Sequence, residues 1–284
     1  MSCVSGERSV IAATREPATR ASLTRDLERL DVRRGGVLVV HASVSALGWV
    51  CGGAEAVVWA LLDALGPDGT LVAPTHTNAN SEPNEWSAPA VPADWWPVIR
   101  AHTPPFDPAI TPSRGMGALP ELVRTWPGAM RSTHPHYSFA AVGAEAEAIC
   151  APHPLDRGLG DGSPLARAEE RDADVLLLGI GHGSNTSLHL AESRVPGLAR
   201  AASGAAVRTP AGREWATWED VAYDADDFAA LGAAFEATAG AGVGPVGVGA
   251  GRLMRQREVV AFGVEWLGAH RGRPSRAGNV TGNR

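Results

Sequence analysis

The sequence lacks most of the features that would commit it to a specialised class. Its 284 residues hold only 3 cysteines, Cys3, Cys51 and Cys150. An odd, sparse set makes no disulfide framework and no metal-ligand spacing, so no metal is expected and a reducing, cytoplasmic setting is. No apolar run is long enough to span a bilayer, which argues against a membrane partner. Charges at Glu7, Arg8, Arg15 and Glu16 break up the N-terminal stretch, which has no signal-peptide centre. A net charge of −6 supplies no basic face for nucleic acid. There is no internal repeat and no convincing linker.

What remains is an ordinary globular composition, 44% hydrophobic and 20% charged, long enough to bury a sizeable core. Residues 1–18 show no period and read as a flexible tail, as do 271–284, leaving one domain over 19–270. Ser22–Leu30 puts Leu23, Leu27 and Leu30 on one helical face, with Ser22 or Thr24 as its cap. Val37–His41 is apolar enough for a buried strand. A loop, a helix over Ala54–Leu65 stopped by Gly66-Pro67-Asp68-Gly69, and a second apolar strand, Thr70–Pro74, follow. That order predicts an α/β layer with a mainly parallel sheet.

One stretch carries the most chemistry. Leu176–Glu192 reads LLLGIGHGSNTSLHLAE: a buried strand, a glycine turn, then Ser184, Asn185 and Thr186 as N-cap candidates for a helix. Thr186, His189 and Glu192 are spaced by three and share a helical face, so hydroxyl, imidazole and carboxylate meet where proton transfer could occur. A single buried histidine is more often structural than catalytic, and Glu192 also reads as an exposed helix acid. His189-x-x-Glu192 lacks the second histidine of a zinc pair.

Other stretches are less specific. The loop His41–Gly53, HASVSALGWVCGG, is rich in small residues ahead of a helix and could take a phosphate on backbone N–H groups, or be an ordinary connection. Gly240–Gly251 is a weak nucleotide signal, with no clear strand before it and no acid at the expected distance after it. Residues 76–112 are rich in tryptophan and acids and read as a packed functional loop. Within them, the acidic, Trp-rich 82–107 either lines a polycation pocket or is a solvated loop with a tryptophan anchor. His134, before Pro135, is a second base or a turn histidine.

In combined order, HASVSALGWVCGG at His41, FDPAITPS at Phe106, MGALPELVRTWPGAMRSTHPHYSFAAVG at Met116, GSPLAR at Gly162 and LLLGIGHGSNTSLHLAE at Leu176 resemble the aminoglycoside 3-N-acetyltransferase family. The resemblance runs from about Ser22 to Leu267. It implies a single-domain, three-layer α/β/α sandwich of this family's own type, distinct from the GNAT acetyltransferases. It implies acetyl-CoA as co-substrate and an amine on the 2-deoxystreptamine ring of an aminoglycoside as acceptor, with a homodimer left open. By the same resemblance His189 is the general base, Thr186 and Glu192 belong to its motif, and Glu121 is a second choice for orienting it. His41, Ser43, Ser45, Gly48, Gly52, Gly53 and Ser113 would hold CoA. Glu82, Glu85, Trp86, Asp94 and Asp107 would meet the acceptor, in the segment where family members vary. Three rival readings stay open: acyl transfer to a non-aminoglycoside amine, a non-catalytic binding protein, and a covalent route through Cys51.

Overall fold

The apolar runs form strands that are buried on both faces. The computed structural model describes residues 2–77, 79–87, 89–238 and 240–271. The elements run α1 (Ser2–Ala13), α2 (Arg20–Arg29), β1 (Val37–Ala42), α3 (Gly53–Leu65), β2 (Thr70–Pro74), α4 (Trp96–His102), α5 (Ala118–Thr125), β3 (Met130–Arg131), β4 (Phe139–Gly143), α6 (Ala146–Ile149), α7 (Pro164–Glu170), β5 (Asp174–Leu178), α8 (Ser187–Ser193), β6 (Arg200–Thr209), β7 (Gly212–Val221), α9 (Phe228–Thr238), β8 (Gly242–Val246), β9 (Gly249–Arg255) and α10 (Gln256–Arg271).

A seven-stranded sheet has the order β3-β4-β2-β1-β5-β9-β8, and β6 and β7 form a separate hairpin. Side chains alternate across the sheet, yet both sides are apolar. Val37, Val39, Val175 and Leu177 pack under α6–α10, and Leu38, Val40, Leu176 and Leu178 pack under α2, α3 and α5. Two covered faces make three layers, and they explain why these strands read as continuous apolar runs. Each fully buried valine or leucine contributes about 1.5–3 kcal/mol, which makes this double burial the main support of the sheet.

Five details differ from the sequence expectation. The sheet is mixed: β1 is parallel to β2 and β5, but the β2–β4, β3–β4, β5–β9 and β8–β9 pairs are antiparallel. The glycine-rich 240–251 stretch is the β8–β9 hairpin rather than a nucleotide loop. Its glycines allow close packing, since a Cβ on Gly249 would lie 2.5 Å from the Ala46 carbonyl oxygen. Residues 2–13 form a helix, and the chain behind it is tied down by Trp49 N–H donating to Thr14 Oγ1 at 2.8 Å and by Ala18 pairing with Val50. Helix α2 starts earlier than expected, at a capping box in which Thr19 and Ser22 bond reciprocally. Arg271 belongs to α10, while 272–284, expected as a tail, lie outside the described residues.

The topology creates a crevice. Helix α3 carries the chain from β1 to β2 on one side, and the chain later returns to place β5 on the other side of β1. Such a switch point leaves open space beyond the strand C-termini, where ligands bind in α/β folds. The described residues of 76–112 include short turns and α4 and are fastened to the β6–β7 hairpin. Asn80 exchanges two hydrogen bonds with the backbone of Ala206, and Trp215 Nε1 donates to Glu82. Among the described residues no helix is long and apolar enough to cross a membrane.

Candidate active site

Beyond the ends of β1, β2 and β5 lies a cavity of ≈ 790 Å³. His41, Ser43, Ser45, His76, Tyr137, Thr186, His189, Tyr223 and Phe228 are in its wall. The turn after β5 can pass this close to the β1 loop only with glycine. Gly179 has φ 64°, and a Cβ there would sit 2.5 Å from Ala46 Cβ. Asn185 Oδ1 then accepts from Ser187 N–H at 3.1 Å and opens α8. Thr186 makes no cap; its hydroxyl lies 3.3 Å from His41 Nε2.

Helical spacing brings His189 and Glu192 together, with Nδ1 2.7 Å from Glu192 Oε2. Glu192 is fully buried, not an exposed helix acid. Its other oxygen accepts from Asp224 N–H at 2.9 Å and from Arg271 Nη1. A buried carboxylate is tolerated when it is paired and hydrogen-bonded in this way. The His189 ring packs 4.7 Å from Phe228 and 5.3 Å from Tyr223, centre to centre. With Nδ1 committed, Nε2 is the nitrogen left for a ligand.

The neighbouring imidazoles are kept neutral. Burial pushes His41 and His76 down to about 3, and the nearness of His189 works in the same direction. His76 Nε2 is buried and has no hydrogen-bond partner. Burial pushes Tyr137 up to about 12 and raises Tyr223 as well, so both phenols stay protonated at neutral pH.

The remaining sequence candidates divide. Ser43 and Ser45 line the cavity with hydroxyls 3.3 Å apart. Gly48 does not; it packs under Val248, and a Cβ would come within 2.9 Å of it. Gly52 and Gly53 open α3 away from the cavity wall. Glu121 is not bonded to His189. It accepts from Ser113 N–H at 3.0 Å, Ser113 Oγ at 2.7 Å and Arg124 Nε at 2.9 Å. Arg124 holds its carboxyl down at about 2, with help from Ser113. Glu121 and Ser113 therefore brace the loop whose Gly115–Ala118 portion reaches the cavity.

Glu82 is taken up by Arg100 at 2.8 Å and Trp215 at 2.8 Å. Asp107 bonds Ala109 N–H at 2.9 Å and lies 3.7 Å from Arg208. Asp94 is exposed in a short turn. Glu85 and Trp86 line a second cavity of ≈ 560 Å³, which also holds Arg114 and shares Tyr137 with the first. His134 is a turn histidine: it is fully buried, and its Nδ1 accepts from the N–H groups of His136 and Tyr137 at 3.0 Å each. Cys51 is exposed and outside the cavity wall.

Sequence reasoning did not find His76, Tyr137, Tyr223, Phe228 or Arg271. His76 follows an apolar strand and Tyr137 stands in the quoted HPHYSF, so both had a local signal. Tyr223, Phe228 and Arg271 reach the site only through tertiary packing.

Parallel strand ends converge here on a buried carboxylate–imidazole pair, at the place where α/β enzymes bind their ligands. The chain belongs to the aminoglycoside 3-N-acetyltransferase family, whose model matches residues 39–268. It is 37% identical to aminoglycoside N(3)-acetyltransferase VIII of Streptomyces fradiae over 94% of this chain and 97% of that protein. The crystal structure of the YokD protein from Bacillus subtilis superimposes with a TM-score of 0.92 at 38% identity, over 94% of this chain and 99% of that one. AAC-IIIb in a binary complex with CoASH gives a TM-score of 0.81 at 37% identity, over 92% and 100%.

Proposed function

We propose that this chain transfers an acetyl group from acetyl-CoA to the 3-amino group of the 2-deoxystreptamine ring of an aminoglycoside, with His189 as general base. The observation that carries the reading is the 2.7 Å bond from His189 to the buried Glu192 within the crevice beyond β1 and β5. The bond fixes the imidazole and balances the charge it acquires. Acetyl-CoA supplies the thioester. Gly115, Gly117 and Gly183 in the cavity wall have open space where a Cβ would stand, which leaves room for a ligand.

His189 Nε2 takes a proton from the acceptor amine as nitrogen bonds to the acetyl carbon. The carbon–sulfur bond breaks, and His189 returns the proton to the departing thiolate. Backbone N–H groups at Val44 and Ser45, in the first turn behind Ser43, would donate to the carbonyl oxygen. Direct transfer of this kind involves no covalent enzyme intermediate. The named relatives and the CoASH complex of AAC-IIIb support both substrates.

Acyl transfer to a different amine is the second reading. It is favoured by the engagement of Glu82 with Arg100 and of Asp107 with Arg208, which removes two carboxylates from a polycation site. Thiol release from acetyl-CoA across kanamycin, paromomycin and a panel of simple amines separates the two, with a mass gain of one acetyl group on the accepted amine. Tight aminoglycoside binding with no acetylated product would leave only a sequestering role.

A further inference from the structure

Glu192 serves two partners. One oxygen faces His189, and the other accepts from Arg271 at the end of α10. Arg271 also donates through Nε to Asp227 at 2.8 Å and through Nη2 to the Asp224 carbonyl at 2.8 Å. Its guanidinium stands 5.8 Å from the Phe228 ring, which itself packs against His189. One side chain thus binds the buried carboxylate, the 224–227 turn and the aromatic wall behind the imidazole. Nothing in the local sequence of α8 announces this, because 79 positions separate the partners.

We propose that Arg271 is a positioning residue for the reaction, which fixes Glu192 against His189 and offsets the carboxylate's charge beside the imidazole. The inference rests on the reading of His189 as general base. The groups facing this pair are Glu192 on α8, His41 at the end of β1, His76 after β2, Tyr137, Tyr223, Asp224 and Asp227 before α9, and Arg271 on α10. His41, His76 and the two phenols are uncharged at neutral pH, as described above. The balance is therefore set by the carboxylates against one guanidinium. Without Arg271 the uncompensated negative charge favours the imidazolium, which cannot act as a base. A lysine would keep the charge but not the forked contacts.

The test uses the full chain with Arg271→Met, Arg271→Lys and Asp227→Asn. The His189 imidazole is titrated by carbon-13 NMR, with its resonance assigned from His189→Gln, and kcat/KM is measured against pH with acetyl-CoA and the accepted amine. Arg271→Met is expected to raise the titration midpoint and move the acidic limb of kcat/KM by about one pH unit, with the rate recovering at higher pH. Arg271→Lys should shift less. Asp227→Asn, which frees the guanidinium for Glu192, should move the midpoint the other way, and it decides the matter if Arg271→Met does not fold. Unchanged midpoints in Arg271→Met and Asp227→Asn, or a loss of rate equal at all pH values, would overturn the proposal. If the wild type acetylates no amine, the base assignment fails, while the imidazole titration still reports whether Arg271 sets the protonation of His189.

Discussion

The fold buries histidines in neutral form, and this should make it sensitive to mild acid. His41, His76 and His153 are each pushed down to about 3, chiefly by burial. In the unfolded chain the same groups titrate near 6.5. Between those values the unfolded state binds protons that the folded state refuses, so stability falls as pH drops below about 6.5 and goes on falling toward about 3. At pH 5 each group costs about 2 kcal/mol, so the three together cost about 6 kcal/mol, a large share of the 5–15 kcal/mol of a typical domain. His134, His136 and His182 are lowered too and act in the same direction. The acids contribute elsewhere. Asp220 and Glu85 are raised by burial and offset the loss only in the carboxylate range, whereas Glu121, held at about 2, adds to it there. Urea midpoints between pH 8 and 5 measure the effect, and His153→Gln should flatten the pH slope by about one proton. A stability that stays level from pH 7 to pH 5 would refute the assignment of these rings as neutral and buried.

His189→Ala is expected to lose about 10²–10⁴ in kcat with little change in KM, read from steady-state thiol release; an unchanged kcat removes His189 from the chemistry. Glu192→Gln should lose on the order of 10²-fold or more, because the amide no longer fixes the imidazole tautomer. Glu121→Gln should cost little, since its partners are Ser113 and Arg124; equal losses in both variants, compared in the same assay, would contradict the geometry. Cys51→Ala should turn over at close to the wild-type rate, because Cys51 stands outside the cavity wall; a dead variant would revive an acyl-enzyme route.

The parts of the site visible in sequence are those encoded by local periodicity. His189 and Glu192 meet because helical spacing of three places them on one face, so their bond was legible from SLHLAE alone. Val37–Val40 and Val175–Leu178 were legible as strands because burial on both faces removes alternation. The direction of the outer strands was not legible, since an apolar run reads the same either way and only pairing sets parallel or antiparallel. Glu121 illustrates the limit of motif reasoning. It occupies a suggestive place in MGALPELVR, yet Arg124 one turn along the helix captures it before any distant histidine can. The burial of Glu192 was hidden for the opposite reason. An acid in a short helix is exposed by default, and Arg271 and the Asp224 N–H, brought in from later in the chain, help make its enclosure tolerable. Local spacing therefore specified the His189–Glu192 pair, whereas the groups that let the pair exist inside the protein come from tertiary packing.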